Sequence, residues 1–545
     1  MLSYLLMVPV STAILACLVA ATALGQDAGP VDQSSRQMDD MARRLEALER
    51  RNAELQSQVT ELRAQTGEQW LTEERAAEVR SLVQDILADS ATRTSLQSTS
   101  ATAGWDNGFF IASADNRFRL NVGGLIQARF VWSALGSTYV APSRLTNPVR
   151  FDTVKNKYGF DVQNVELWGS GHILSPDIQY MVKALVSQNQ DVGLQLVGNG
   201  PTQTSPRPTL VSGSTSGNFQ LLDAWVRLNL TDEWSFRMGQ FRAPYGREFL
   251  VLEQYQMAVD RSLVSLHYGM GYTQGIELEW LTNEARWRIS LNDGGTDNIV
   301  APAQVVGSQP LNSPWYAQTA SFGVTTRFDW KGEGSWSQFD QFTSPEGTEQ
   351  GWLVGIALNA QSTKPENGSP IPPAAFGTGA ISHSNTWLGV TADVTFQFGG
   401  ASLFASAYYN YVTSNAAYFV QNVSGTTSFP AGNVNALGFV VQPSVYLAPK
   451  WEVFTRYEYM HTTASQSGNA PIIDSLLGNY LFQQRHMSLV TTGVNYYIDG
   501  QDLKFTTDFG VAFNPVYPSY AAPETGWRAS GGDEFVLRAQ LQLMF

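Results

Sequence analysis

The sequence predicts an all-β transmembrane barrel of about 16 antiparallel strands, preceded by an N-terminal α-helical coiled-coil segment. From residue 117 onward, apolar and polar side chains alternate with a period of two, the period of a β-strand. Short and long links alternate between these segments. Gly and aromatic residues are abundant, with 47 Gly, 28 Phe, 21 Tyr and 15 Trp, whereas only 15% of residues are charged. Together these observations favour β structure that is rich in turns.

The alternating pattern recurs in about 16 segments that are each long enough, at about nine residues or more, to cross a bilayer as a tilted strand. The segments lie near 118–132, 158–173, 177–188, 219–230, 233–242, 271–281, 284–292, 317–330, 351–360, 386–398, 402–412, 435–447, 450–460, 486–498, 502–512 and 534–545. We expect each segment to turn one continuous apolar face outward.

The lengths of the links separate two alternative all-β folds. Ser175-Pro176 and Thr282-Asn283 are short links, whereas 133–157 and 189–218 are long and rich in Gly, Ser and Pro. Short turns at one end and long loops at the other are typical of outer-membrane barrels. A secreted β-sandwich would alternate as well, but no amphipathic helices follow to cover so many apolar faces. Lipid is the simplest cover, and the barrel is therefore favoured.

The last twelve residues, EFVLRAQLQLMF, predict the strand that closes the barrel. Its apolar positions run from Phe535 to Phe545, whereas Arg538, Gln540 and Gln542 lie on the other face. Pairing with the segment near 118–132 would leave no open edge. We expect the apolar positions to face lipid and the polar ones to face the interior.

The first 25 residues predict a secretory signal peptide (1–25). An apolar run around Ile14–Ala21 is followed by small residues and then by the polar Gln26. The single cysteine, Cys17, lies within this run, so a cleaved chain has no thiol for disulfides or metal binding. An N-terminal membrane anchor is the alternative.

The residues between the signal peptide and the barrel predict helices and linkers. After a linker (26–36), residues 37–66 carry a heptad pattern with Asn52 at a core position, which predicts a short coiled coil. An amphipathic helix packed on its own protein is the alternative. A second helix is expected within 67–90 and a linker within 91–116. The barrel is expected to span 117–545.

Several stretches resemble, in order, the phosphate-selective porin O and P family. They are FRMGQFRAPYGRE from Phe236 to Glu248, Asp260-Arg261-Ser262, GIEL at 275–278, WEVFTRY at 451–457 and TTGVNYY at 491–497. The similarity covers roughly residues 105–545. The head with Trp70-Leu71-Thr72-Glu73 is similar to family members from planctomycete-type bacteria.

The resemblance implies a trimeric 16-stranded pore in the cell outer membrane, with the N-terminal segment in the periplasm. It also implies that the third extracellular loop, about 243–270 here, folds into the pore as a constriction. The ionisable residues of this constriction are Arg242, Arg247, Glu248, Glu253, Asp260 and Arg261. They would create a transverse field across the pore. Alternatively, Glu248 and Asp260 pair with Arg247 or Arg261 and only hold the loop.

Inward strand positions supply the basic residues expected to line the pore, which are Arg119, Arg129, Lys183, Arg227, Arg237, Arg286, Arg288, Arg327 and Arg456. The resemblance implies passage of small hydrophilic solutes or ions, including anions such as phosphate. Residues 101–545, however, carry 34 acidic and 25 basic side chains, which is an unfavourable balance for an anion-specific pore. The resemblance further implies that Phe545 marks the last strand for the barrel-insertion machinery.

No motif indicates catalysis, a cofactor, a metal site or nucleic-acid binding, and we expect no enzyme. The five His are scattered without metal-ligand spacing. Two alternatives to a porin remain. One is a structural envelope protein whose barrel anchors a periplasmic coiled coil that reaches the cell wall. The other is a secreted β-sandwich binding protein.

Overall fold

A computed structural model describes residues 101–106, 108–138, 154–188, 192–197, 207–212, 217–295, 320–363, 385–414, 417–422, 425–430, 433–464, 485–517 and 520–545. All of these residues belong to one compact unit, Ser98–Phe545. The predicted signal peptide, coiled coil and second helix lie outside the described residues.

The described residues contain 22 strands. In chain order they are β1 (Thr102–Trp105), β2 (Phe109–Ala112), β3 (Phe118–Leu135), β4 (Asn156–Ile173), β5 (Ser175–Gln188), β6 (Val192–Val197), β7 (Arg207–Ser212), β8 (Gly217–Asn229), β9 (Trp234–Arg242), β10 (Tyr272–Leu281), β11 (Ala285–Asn292), β12 (Ala320–Glu333), β13 (Gly351–Thr363), β14 (Asn385–Gln397), β15 (Ala401–Ser414), β16 (Ala417–Asn422), β17 (Gly425–Pro430), β18 (Val434–Ala448), β19 (Trp451–Ala464), β20 (Arg485–Asp499), β21 (Leu503–Ala512) and β22 (Glu534–Met544). Two short helices, α1 (Arg247–Leu250) and α2 (Leu263–Tyr268), lie between β9 and β10. Short 3-10 turns lie at Glu253–Tyr255, Ser337–Asp340 and Pro523–Thr525.

Sixteen of these strands form one closed antiparallel barrel, as the sequence predicted. They are β3, β4, β5, β8 to β15 and β18 to β22, and each pairs with the next. β22 returns to β3, with Glu534 opposite Leu135 and Met544 opposite Leu125, so the sheet has no free end. The two-sheet sandwich is therefore wrong. Of the six remaining strands, β6–β7 and β16–β17 form separate two-stranded sheets within long links, and the β1–β2 hairpin pairs with β3.

The predicted alternation of faces is confirmed in the last strand. Arg538, Gln540 and Gln542 are buried inside the barrel, whereas Leu541 and Leu543 are exposed on its outer surface. Because every second side chain of a strand lies on the same face, the alternating sequence pattern shows which residues face the barrel interior and which face outward. Among the described residues, no helix is long and apolar enough to cross a membrane.

The two ends of the barrel differ in the length of their links, and we call them the short-link end and the long-link end. Aromatic side chains gather on strands near the short-link end. Trp330 and Trp352 pack edge to face with ring centroids 4.9 Å apart, and the rings of Trp451 and Tyr496 lie 4.5 Å apart. Such a band of aromatic residues is the girdle that barrels place at a membrane interface.

The predicted linker 91–116 is wrong in part, because residues 102–112 contain the β1–β2 hairpin. The physical reason is a length mismatch at the seam. β22 pairs with β3 only from Leu125 to Leu135, which leaves the first residues of β3 without a partner on that side. β2 supplies this partner along Arg119–Val122 and so satisfies the exposed backbone groups.

The chain terminus is held at the seam. The backbone N–H of Phe545 donates to the carbonyl of Gly124 at 3.0 Å, and the N–H of Gly124 donates to the carbonyl of Phe545 at 2.8 Å. A Cβ at position 124 would lie 2.5 Å from Cζ of the Phe545 ring, so this ring packs against the glycine. The terminal aromatic residue therefore completes the pairing of β22 with β3.

Deleting Phe545 should lower the yield of folded barrel several-fold, because the seam loses two hydrogen bonds and the ring that covers Gly124. The measurement is the fraction of detergent-extracted protein that shows heat-modifiable migration on gels. Phe545→Tyr keeps the backbone and the ring and serves as the control. An unchanged yield after the deletion would contradict this role.

Candidate functional site

The link between β9 and β10, residues 243–271, folds into the barrel, and we call it the inserted loop. Tyr245, Val264 and Tyr268 have no exposed surface. Ser262 caps α2 by accepting a hydrogen bond from the N–H of Ser265. Within the loop the chain follows short helical turns, so most of its backbone groups must find partners on the barrel wall.

Polar side chains of the wall supply these partners. Arg327 Nη1 donates to the carbonyl of Tyr245 at 2.8 Å, and Arg456 Nη1 donates to the carbonyl of Asp260 at 2.8 Å. Asn410 and Asn495 donate to the carbonyls of Tyr268 and Met257, and Lys504 donates to those of Gln254 and Gln256. All five side chains belong to strands β12 to β21, so the loop is fastened to one side of the barrel.

Asp260 forms the central ion pair of the inserted loop. One carboxylate oxygen lies 3.0 Å from Arg129 Nη1 and 3.0 Å from Arg538 Nη1, across the seam strands β3 and β22. Arg538 also pairs with Asp508 at 2.7 Å, and this second carboxylate accepts the N–H of Val259 at 2.9 Å. Since all four charged groups are buried, the cluster depends on mutual neutralisation.

The other predicted loop carboxylates also hold the loop. Glu248 accepts the N–H and the hydroxyl of Ser262 and lies 3.8 Å from Arg456. Glu253 pairs with Arg261, whose guanidinium also donates to the carbonyl of Val251 at 2.8 Å. The expected pairing of Glu248 and Asp260 with Arg247 or Arg261 is wrong, because arginines of the barrel wall are closer.

Arg242, the last residue of β9, and Arg247 of the inserted loop differ from the charged residues described above. Arg242 donates to the carbonyls of Phe249 and Val251 and to the Tyr272 hydroxyl. Arg247 donates to the carbonyl of Phe339, while its Nε has no hydrogen-bond partner. In the part of the chain that the structure describes, no carboxylate forms an ion pair with either one. Burial lowers the pKa of Arg247 to about 10, so it stays charged at neutral pH.

The nine predicted pore-lining cations fall into two groups. Arg129, Arg327 and Arg456 are fully buried and fasten the inserted loop, so their prediction as pore-lining residues is wrong. Arg119, Lys183, Arg237, Arg286 and Arg288 line an internal cavity. Arg227 lies beside this group and pairs with Glu279 at 3.3 Å. Both groups occupy positions that the sequence pattern predicts to face inward. Whether such a cation is buried or lines the cavity depends on where the inserted loop packs.

The cavity has a volume of about 1020 Å³ and lies between the inserted loop and the short-link end. The loop contributes Arg247, residues 250–252, Gln254 and Tyr255, and the wall contributes mainly strands β3 to β5, β8, β9 (which ends at Arg242) and β11. Seven basic and four acidic side chains line it, an excess of three positive charges. The cavity therefore lies on the side of the barrel opposite the loop's main attachments and is basic.

Carboxylates behind the lining moderate this positive charge. Glu277 pairs with Arg237 at 2.6 Å, and Asp329 lies 3.2 Å from both Arg286 and Arg288. Glu166 pairs with Lys183. No sequence motif marks these carboxylates as part of the site. In the strand register Glu277 and Asp329 lie directly opposite Arg237 and Arg286, whereas Glu166 lies opposite Leu185, two positions from Lys183.

Two further segments, both in gaps between the predicted strand segments, also enter the barrel. The first, residues 334–350, belongs to the short-link end. There Phe339 and Phe342 are buried, and Gln397 donates to the carbonyls of Gln338 and Gln341 at 3.1 Å. Aromatic residues in an otherwise polar link were the available signal.

The second segment, residues 513–533, enters from the long-link end. Trp527 is buried, and Arg528 donates to the carbonyls of Ser133 and Lys155. His267 of the inserted loop contacts the carbonyl of Tyr520 at 3.1 Å, and burial lowers the pKa of His267 to about 4. This segment therefore covers the inserted loop.

Asp260→Asn should loosen the inserted loop, because Arg129 and Arg538 would keep their buried charge without this carboxylate. Removal of one partner of a buried pair costs about 3–5 kcal/mol. The measurement is the unfolding midpoint in denaturant, together with protease cleavage within 243–271. Asp161→Asn is the matched control, because it removes a part-exposed carboxylate 2.8 Å from the same Arg129. Equal effects of the two variants would contradict a special role for Asp260.

Residues 149–299 match the family model "Phosphate-selective porin O and P". No curated protein matches the chain.

Solved structures with a similar fold include an anion-selective porin from Comamonas acidovorans, with 10% identity, a TM-score of 0.43 and coverage of 78% of this chain and 99% of that chain. The outer membrane channel DcaP of Acinetobacter baumannii has 11% identity and a TM-score of 0.42, and the match covers 78% of this chain and 97% of that chain. OmpT of Vibrio cholerae has 10% identity and a TM-score of 0.40, with coverage of 78% and 98%. The family match confirms that this chain is similar, over residues 149–299, to the phosphate-selective porin O and P family.

Proposed function

We propose that the protein is an outer-membrane porin through which small hydrophilic solutes or ions, anions such as phosphate among them, pass by diffusion. One observation carries the proposal. A closed 16-stranded barrel holds an inserted loop fastened to one side, and a cavity of about 1020 Å³ lined by charged side chains lies on the other. Charged rings and narrow passages are the means by which pores select solutes.

The distribution of charge supports a preference for anions. Residues 101–545 are acidic as a whole, but the cavity lining has more basic than acidic side chains. Most of the wall cations form an ion pair with a carboxylate, whereas Arg242 and Arg247 form none with a described carboxylate. A low-dielectric wall focuses such a potential into the passage. We therefore assign charge selection to these two arginines and loop attachment to Glu248, Glu253, Asp260 and Arg261.

The location and assembly are part of the same proposal. We place the short-link end in the periplasm, because the aromatic band and the short turns lie there. The N-terminal segment 26–116 would then also be periplasmic, with the coiled coil (37–66) stabilising a homotrimer or reaching the cell wall. Phe545 would be read by the barrel-insertion machinery. Chemical cross-linking of the extracted protein tests the trimer, and bands of monomer alone would contradict it.

The segments inside the barrel suit a second function, that of an envelope anchor. Three segments, residues 243–271, 334–350 and 513–533, enter the described barrel, which suits a barrel that only anchors the N-terminal segment to the envelope. Single-channel recording separates the two functions. A porin gives ohmic current steps in a planar bilayer, whereas an anchor with a filled interior gives none.

Under a KCl gradient, the reversal potential should have the sign of chloride preference. Replacing both Arg242 and Arg247 by Gln should move it toward or past zero, since the two cations without a carboxylate partner are lost. Lys450→Gln is the control, because it removes an exposed charge at the short-link end outside the cavity lining. A cation-preferring wild type, or a double variant that keeps the wild-type potential, would contradict the assignment.

A further inference from the structure

The cavity is lined by aromatic rings as well as by cations. Trp105, Trp168, Trp225 and Tyr255 contribute to the same surface as the basic residues. A passage for hydrated inorganic ions needs hydrogen-bonding groups and charge, and ring faces provide neither. Passage of inorganic ions therefore does not explain why aromatic rings line the cavity.

On the part of the barrel wall formed by β4, β5, β8 and β9, the rings of Trp168 and Trp225 lie next to basic side chains. Trp168 on β4 lies directly opposite Lys183 on β5, with the ammonium 5.4 Å from the ring centroid. Trp225 on β8 has Arg227 and Arg237 at 5.7 and 5.5 Å from its ring centroid. Lys183, Arg227 and Arg237 each also pair with a carboxylate, so their charge is already balanced.

Trp168 lies flat on this wall. A Cβ at Gly123, its partner on β3, would come within 2.6 Å of three atoms of the indole. One surface of the ring thus packs on the glycine backbone, and the ring also lines the cavity. Glycine permits this arrangement because any side chain at position 123 would displace the ring. The wall therefore presents a flat apolar surface between charged groups.

Two further cations complete the site, one at the end of β9 and one in the inserted loop. Arg242 and Arg247 line the same cavity and form no ion pair with a described carboxylate. Arg247 is only 4% exposed, and its Nε is buried without a hydrogen-bond partner. A guanidinium matches the planar geometry of a carboxylate. A cavity of about 1020 Å³ that combines aromatic rings with charged and hydrogen-bonding groups has the size and the groups to hold an organic anion.

We propose that the cavity binds a planar aromatic carboxylate during passage. The aromatic body of the solute stacks on the Trp168 and Trp225 wall, and its carboxylate reaches the guanidinium groups of Arg242 and Arg247. This inference rests on the proposed porin function and names the solute class. It differs from a site for inorganic phosphate, which gains from the arginines but not from the rings.

The test is block of single-channel chloride current by added anions. Benzoate, cyclohexanecarboxylate, acetate and inorganic phosphate are compared by the concentration that halves the current. Benzoate should block at the lowest concentration, because it alone combines a planar ring with a carboxylate. Trp225→Leu should raise the half-blocking concentration of benzoate about tenfold, the factor that about 1.4 kcal/mol of stacking produces. Block by phosphate should not change.

Three further variants test whether the block by benzoate depends on an aromatic ring that lines the cavity. Trp225→Phe keeps an aromatic ring and should restore much of the benzoate block. Trp451→Leu makes the same kind of change outside the cavity lining and should behave as the wild type. Tyr255→Leu, on the inserted loop, serves as a second cavity variant if Trp225→Leu does not assemble.

The possible failures are distinguishable. Absence of current steps in the wild type would overturn the porin function itself. Current steps with equal block by benzoate, acetate and phosphate would overturn only the solute class. Equal loss of benzoate and phosphate block in Trp225→Leu would show that the ring merely supports Arg227 and Arg237, and the solute class would again be wrong.

Discussion

The ion pairs of Asp260 with Arg129 and Arg538 are the interaction on which the interior depends. They join the tip of the inserted loop to the two strands that close the barrel, so the seam and the loop are fixed together. A buried charge without a close partner is costly, so the loss of any one of these groups would strongly destabilise the attachment. The position of the cavity follows, because a loop held on one side leaves space on the other.

A barrel interior lined by charge requires local compensation. Most wall cations near the cavity have a carboxylate on a neighbouring strand, as Arg237 has Glu277 and Arg288 has Asp329. Such pairs keep charged groups ionised inside a protein while cancelling most of their long-range field. In the proposed pore, the field that a solute meets would then come mainly from Arg242 and Arg247. The cavity lining is basic although residues 101–545 are acidic as a whole.

The strands, the closing seam and the inward faces could be predicted from the sequence, because a period of two is a local property. Glu534–Met544 shows this most clearly, since each side chain lies on the expected face. The roles of the inward arginines could not be predicted, because they depend on partners far along the chain. Arg129 meets a carboxylate 131 residues away, and nothing near it in the sequence distinguishes it from Arg237. The inserted segment 334–350 was missed for the same reason, since its contacts, including that of Gln397 with the carbonyl of Gln338, are not local.

The central claim is that the passage runs beside strands β4 and β5 and not beside the strands that hold the loop. Single-cysteine accessibility tests it most directly, in a Cys17→Ser background that removes the only native thiol. Met181→Cys lines the cavity, whereas Thr391→Cys faces inward at a buried position on β14. A charged thiol reagent added during single-channel recording should reduce the current of Met181→Cys and leave that of Thr391→Cys unchanged. Modification of Thr391→Cys alone would contradict the account.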